Sequence, residues 1–393
     1  MFRDPKLLVL LIAGSLTTMA GGVVAPVLPD MVQQLRLDPT LAGNLVSMHC
    51  LTIALFSPPL GMLADRIGRL RVLVPSLILY ALFGVSGALM HSLEPLLISR
   101  GLLGAASGGI AAASLGLLGS SYEGEAREQA LGYATSTLTI TGIAFPLLGG
   151  WVGATHWQFA FCLYGLGLPL AVMAALTLRE KQPKPTKPIR QHDPLKLSQV
   201  LGHPYTLRLL VTLALASVSM YAVVIYAPQY LKETIGAGAA LNGVVLATRA
   251  VGAAIISAFG AKWLAKTLGT AAATAVGFGL MALSLSTIPL LNQISWILFT
   301  AVLFGVGFGI VLPSLYGTLA NLAPSALKST VMAAGIGAGF LGQFLSPILL
   351  GPVLGYGGLE GVFYAAALIA LVGGLFFVYP KSFGCGSYSK TLE

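Results

Sequence analysis

Charge is what this sequence has least of. Only 9% of its 393 residues are Asp, Glu, Lys or Arg, against 56% hydrophobic, and the mean hydropathy is +0.86. A water-facing globular surface needs about a quarter charged residues, so an ordinary soluble protein is excluded. Acids are scarcer than bases: thirteen Asp and Glu against twenty-two Lys and Arg, for a net charge of +9. Cysteine is almost missing too. Cys50, Cys162 and Cys385 have no CxxC spacing, which argues against disulfides and against a metal centre. No GxxxxGK[ST] loop is present. Gly337 to Gly342 matches GxGxxG, but it stands inside an apolar run with no preceding strand, so it reads as helix packing and not as a dinucleotide site.

Long apolar runs fill the chain instead. Segments able to cross about 30 Å of hydrocarbon at about 1.5 Å per residue begin near Leu7, Leu41, Val72, Pro95, Glu128, Trp157, Thr206, Leu241, Thr270, Ile294, Ser329 and Leu359. These predict twelve spans, the first an anchor with no cleavage site. With the N-terminus placed in the cytoplasm, Arg3, Lys6, Arg66, Arg69, Arg71, Arg127, the run from Arg179 to Arg208, Lys262, Lys266, Lys328, Lys381 and Lys390 fall inside, and only Arg36 and Lys232 outside. That asymmetry is the positive-inside rule. It accounts for the basic charge without a nucleic-acid partner and places both termini in the cytoplasm, in a multi-pass protein of the cytoplasmic membrane; lipid headgroups are its expected surroundings.

One connector interrupts the pattern. Residues 179–204 hold five prolines and many charges, the composition of an extended solvated linker. It separates a first six-span unit, 1–178, from a second, 205–380, followed by a flexible tail, 381–393. A constant displacement of 201 residues matches Leu63 with Leu264, Gly68 with Gly269, Gly104 with Gly305, Gly108 with Gly309, Pro146 with Pro347 and Gly150 with Gly351. A register shared across loops and helices implies duplication. Parallel repeats of this kind set a substrate site near the midplane between the halves.

The joint between the second and third spans, Gly61-Met62-Leu63-Ala64-Asp65-Arg66-Ile67-Gly68-Arg69, has the form GxLADRxGR. It resembles the corresponding loop of the major facilitator superfamily, and the resemblance extends to twelve spans, a central loop and the duplication. It implies an all-α membrane protein of twelve transmembrane helices in two six-helix pseudo-symmetric bundles. Within that superfamily the nearest likeness is to twelve-span drug and proton antiporters. The resemblance implies a conformational latch at Gly61, Asp65, Arg66, Gly68 and Arg69. Lys266 stands where the second copy would carry the acid, so only the first copy is expected to act.

Arg100, Gly104 and Gly108 fall on one face of the fourth span. They are similar to the family's RxxxG element, which implies proton coupling through Arg100; the alternative is an arginine reaching the outer interface along its stem. Gly142, Pro146, Gly149 and Gly150 are similar to the antiporter element of the fifth span, with Phe145 where that element has glycine. They imply a helix kink and close packing.

The acids carry a negative message. All lie in loops or at span ends, so no midplane carboxylate is available to exchange a proton for a cationic drug. Asp30 and His49 are the remaining coupling candidates, His49 being either a proton carrier or a satisfied interhelical histidine. Arg249, deep in the eighth span, is a candidate anion contact, a partner for a distant carboxylate, or a structural bridge. Polar and aromatic residues at mid-span, Asn44, Tyr221, Tyr226, Gln229, Tyr316, Phe340, Gln343 and Phe344, suggest the lining of a site for drug-sized amphipathic compounds.

The expected function is secondary transport: export of small hydrophobic or amphipathic compounds by alternating access, coupled to protons. Its alternative is a carrier of organic anions or anionic lipids without proton coupling. No catalytic residues, no cofactor and no metal are expected; the partners are a small-molecule substrate, protons and lipids, and the chain is expected to be a monomer.

Overall fold

Eleven apolar helical stretches are long enough to cross a membrane in the computed structural model, which describes residues 4–178, 200–322 and 327–378. In chain order they are α1 (Pro5–Leu35), α2 (Pro39–Ile67), α3 (Arg69–Leu89), α4 (Leu93–Ser121), α5 (Gly124–Val152), α6 (Trp157–Thr177), α7 (Pro204–Ile235), α8 (Ala239–Gly260), α9 (Thr270–Leu290), α10 (Ile294–Leu322) and a last stretch, Thr330–Val378. That last stretch has 49 residues, twice what a bilayer needs. It is not one helix. Gly358 takes φ 62 and ψ −170 inside it, a conformation that side chains with a Cβ avoid, and divides it into α11 (330–357) and α12 (359–378). Twelve spans result, with no strand among the described residues. Most of the connector 179–204 and all of the tail 381–393 lie outside the described residues.

Glycine and proline shape these helices. The α1 helix tightens to 3-10 geometry at Ala25–Val27 around Pro26. Pro58 and Pro59 interrupt α2, Pro146 α5, Pro228 α7 and Pro313 α10, each removing a backbone donor. The turn into α3 requires Gly68 at φ 111, and the turn into α9 repeats it with Gly269 at φ 82. The 201-residue register is thus visible in the backbone.

Close glycine crossings hold each six-span group. A Cβ on Gly104 would strike the His49 backbone of α2, and one on Gly305 the Arg249 carbonyl of α8. Gly108 meets Ser57 and Ile53, while Gly309 meets Ala253. Without a hydrophobic drive between helices in lipid, such backbone proximity is the main source of association. At the start of α1 the Tyr122 hydroxyl donates to Asp4 Oδ2 at 2.6 Å and holds that carboxyl below the usual carboxylate range.

Candidate functional site

The two six-span groups approach each other at the end remote from Pro5 and Pro204. Gly150 of α5 lies against the Ala239 carbonyl and Gly243 of α8, and Gly243 in turn against the Pro146 carbonyl. The second crossing mirrors the first: Gly351 of α11 lies against the Thr40 carbonyl of α2. Asn242 donates its amide to the Pro26 carbonyl at 3.2 Å. Lys232 is ion-paired with Asp30. Toward the other end, no glycine crossing joins the two groups among the described residues. The closure by glycine crossings is therefore one-sided.

At mid-depth a polar node joins the groups. The Cys50 thiol donates to Gln343 Oε1 at 3.1 Å, and its Sγ lies 3.3 Å from the Tyr221 hydroxyl and 3.5 Å from His49 Nε2. Gly21 lets α1 come up against both: a Cβ there would be 2.9 Å from the Tyr221 hydroxyl and 3.0 Å from the His49 ring. His49 is 3% exposed and its Nδ1 has no hydrogen-bond partner among the described residues. The Val46 backbone also engages the ring.

Arg249 faces the same level from α8. It is half-buried, interacts electrostatically with Tyr221, and has a buried Nε without a hydrogen-bond partner among the described residues. Arg100 is the opposite case. Its side chain is 1% exposed; Nε donates to the Leu45 carbonyl at 3.1 Å, one Nη to the Tyr164 hydroxyl at 2.9 Å and the other to the Ala20 carbonyl. The guanidinium carbon sits 5.4 Å and 5.8 Å from the Tyr164 and Phe161 ring centroids. Carbonyls and aromatic faces satisfy this cation without a carboxylate, and the side chain does not reach the outer interface.

The remaining candidates separate. Asp30 is engaged with Lys232, at the closed end. Tyr316 lies near Gly339 of α11, and Phe340, Gln343 and Phe344 are half-buried. Asn44, Tyr226 and Gln229 are in a different setting: Tyr226 adjoins Gly43 at the crossing of α2 with α7, and Asn44 Oδ1, Tyr226 Oη and Gln229 Nε2 are buried without hydrogen-bond partners among the described residues. Pro146, Gly149 and Gly150 pack tightly, Gly149 against Val23 of α1, whereas Gly142 has nothing within reach of a Cβ. In the loop after α2, Arg69 pairs with Asp65 at 2.9 Å and donates to the Gly116 carbonyl of α4. Gly68 supplies the turn, Gly61 lies near Ala112 of α4, and Arg66 is exposed. Sequence reasoning missed Cys50, Tyr164, Lys232 and Gly243. Lys232 alone had a signal, as one of two cations on the outer side.

No group of three or more His, Cys, Asp or Glu among the described residues could hold a metal ion.

Solved structures share the fold. The bacterial homolog of the human lysosomal transporter Spinster, solved in an inward-facing and unoccupied conformation, superposes with a TM-score of 0.83 over 96% of both chains at 16% identity. Its occupied form gives 0.79 over 94% and 95%. At these identities the likeness concerns the fold. Among curated relatives, Multidrug resistance protein 1 of Bacillus subtilis is 30% identical over 169 residues, 42% of each chain. The quinolone resistance protein NorA of Staphylococcus aureus is 25% identical over 196 residues, 50% of each. The chain thus matches about half the length of these relatives or less. The family model described as Major Facilitator Superfamily matches residues 10–347, and the chain belongs to that superfamily of membrane transporters.

Proposed function

We propose that this protein exports small hydrophobic or amphipathic compounds across the cytoplasmic membrane, in exchange for protons, by alternating access between its two six-span units. The one-sided closure carries the reading. With the termini placed in the cytoplasm by the distribution of Lys and Arg, the glycine crossings of α5 with α8 and α2 with α11 form an outer gate, and the space between the units opens inward. Tyr221, Tyr316, Phe340, Gln343, Phe344 and Arg249 then line the substrate site at mid-depth, while Asn44, Tyr226 and Gln229 join it once the outer gate parts. The names of the curated relatives support export of drug-like compounds.

His49 is the proton carrier in this scheme, the titratable side chain of the central node. Asp30 is assigned to the outer gate through Lys232, and Arg100 to holding α1, α2 and α6 together. Asp65 and Arg69 steady the inner end of α2 against α4 as the latch.

The test is substrate-dependent proton movement in proteoliposomes of the purified protein, with a pH-sensitive dye inside and a panel of amphiphiles outside. Proton release on addition of an amphiphile is expected. Amphiphile flux with no proton movement would remove the coupling, and no flux of any amphiphile would remove the export reading.

A further inference from the structure

We infer that the compounds carried are amphipathic anions and that Arg249 is the cation that selects them, an inference that rests on the export reading and names its substrate class. The first observation is electrostatic. Arg249 stands roughly 15 Å along α8 from Ala239, taking about 1.5 Å per residue, and no ion pair or hydrogen bond reaches its side chain among the described residues. A charge at such depth is costly unless a partner or a wet cavity receives it.

No acid among the described residues supplies that partner. The described acids of the second unit are Glu233 and Glu360, one in the last turn of α7 and the other just past the Gly358 break, both at the closed end. Asp30, the nearest acid of the first unit to the core, is taken by Lys232. A cationic amphiphile entering the space beside Tyr221 would meet an uncompensated guanidinium. An anionic one would complete it.

The shape of the group agrees with the charge. A guanidinium offers a planar fork that matches carboxylate, sulfonate or phosphate oxygens two at a time, and the Nε of Arg249, buried and unpaired, is one prong of that fork. The position is fixed by the main chain, because Gly305 allows α10 to pack onto the Arg249 carbonyl itself. Tyr221 beside it and Gln343 across the node add hydrogen-bonding tips, and the aromatic side chains of α10 and α11 at that level suit the apolar body of the ligand.

Energetics follow from the sign. An anion leaving a cell with a negative interior moves down the electrical gradient, and a proton entering in exchange moves charge in the same sense. Transport is therefore electrogenic, and an inside-negative potential accelerates it whether or not a proton is exchanged.

The experiment uses proteoliposomes loaded with one of four probes: an aryl sulfonate, its neutral sulfonamide counterpart, a lipophilic quaternary ammonium, and a single-chain lipid phosphate. A potassium diffusion potential sets the interior negative. Wild-type protein is expected to release the sulfonate faster as the potential grows. Arg249→Gln is expected to lower sulfonate efflux by at least about tenfold while the sulfonamide stays within about twofold, and Arg249→Lys to keep part of the anion flux. The sulfonamide arm also reports that the variant is folded. Efflux of the lipid phosphate in excess of the sulfonate would place the anion among lipids, and the reverse among free organic acids. Preferential movement of the ammonium, or equal loss of all probes in Arg249→Gln, would overturn the inference and leave export standing. If no probe moves with the wild type, export falls and the inference with it.

Discussion

His49 and Arg249 lie at the same glycine crossing in the two halves of the protein, one residue out of the 201-residue register, which sets Ala250 opposite His49. Each sits under a glycine of the neighbouring helix, Gly104 for His49 and Gly305 for Arg249, and each glycine lacks the Cβ that would collide with the backbone beneath it. One duplicated crossing therefore has a titratable imidazole in the first half and, one residue off register, a permanent cation in the second. The division suits a carrier in which one half handles the proton and the other the substrate. His49→Gln should abolish proton release triggered by substrate, while substrate exchange across the membrane at equal pH persists. Dye-reported proton flux and radiolabel counterflow on the same vesicles test this, and proton release unchanged in the variant would remove His49 from the mechanism.

Arg100 calls for a different expectation. Its fork spans three helices, with acceptors on Ala20 of α1, Leu45 of α2 and Tyr164 of α6. Hydrogen bonds to a charged group contribute about 1.5–3 kcal/mol each, so Arg100→Ala should lower the melting temperature in detergent sharply. Arg100→Lys should recover little, because a single ammonium cannot reproduce the fork or its contact with Phe161 and Tyr164. A role in coupling alone would instead leave both variants as stable as the wild type.

How far these roles were legible in the sequence depends on the distance over which they are built. The 201-residue register pairs Gly68 with Gly269 and Gly104 with Gly305 in the sequence itself, because turns and glycine crossings are local demands on the backbone. The span count was legible from apolar length, and Gly358 stands where the eleventh and twelfth runs had to part. Facing was not legible. Asn44, Tyr226 and Gln229 looked like pocket residues by their place within a span, yet they are sealed in the closed end, since depth and direction are decided by helices far away in sequence. For the same reason the pairing of Asp30 with Lys232, separated by 202 positions, was not legible, although each residue stood out by itself. Arg100 announced itself as a charge within a span, but whether it met an acid or carbonyls was settled only by the packing of α1, α2 and α6 around it.

Asp65 holds Arg69 one turn away while Arg69 also grips the Gly116 carbonyl of α4. Both side chains are partly open to solvent, 53% for Asp65 and 29% for Arg69, where an ion pair contributes about 0–1 kcal/mol. Asp65→Asn should therefore insert and melt like the wild type. If the joint acts as a latch, a change of that size in the balance of states lowers turnover by about two- to fivefold. Initial rates of substrate flux in proteoliposomes, normalised to reconstituted protein, decide the matter: an unchanged rate leaves the joint with topology alone.

The outer gate admits the sharpest test, because its closure depends on missing atoms. Gly150 and Gly243 let α5 and α8 meet backbone to backbone, and a side chain at Gly150 would be driven into the Ala239 carbonyl. A backbone carbonyl cannot rotate away as a flexible side chain could. Gly150→Val should cost the closed arrangement about 1–3 kcal/mol, the range for overpacking a tight site, and shift the population toward the state open on the other face by roughly five- to a hundredfold. The same substitution at Gly142, with nothing within 4 Å of its Cβ position, should be tolerated. Single cysteines placed at Asn44 and at Gly337, in a background where Cys50, Cys162 and Cys385 are serine, report the two faces. Gly150→Val should raise the labelling rate at position 44 by a water-soluble maleimide and lower it at position 337, with transport slowed because the cycle stalls. Equal labelling of the two variants would mean that the crossing is packing without a gate, and would withdraw the one-sided closure as the basis of the transport cycle.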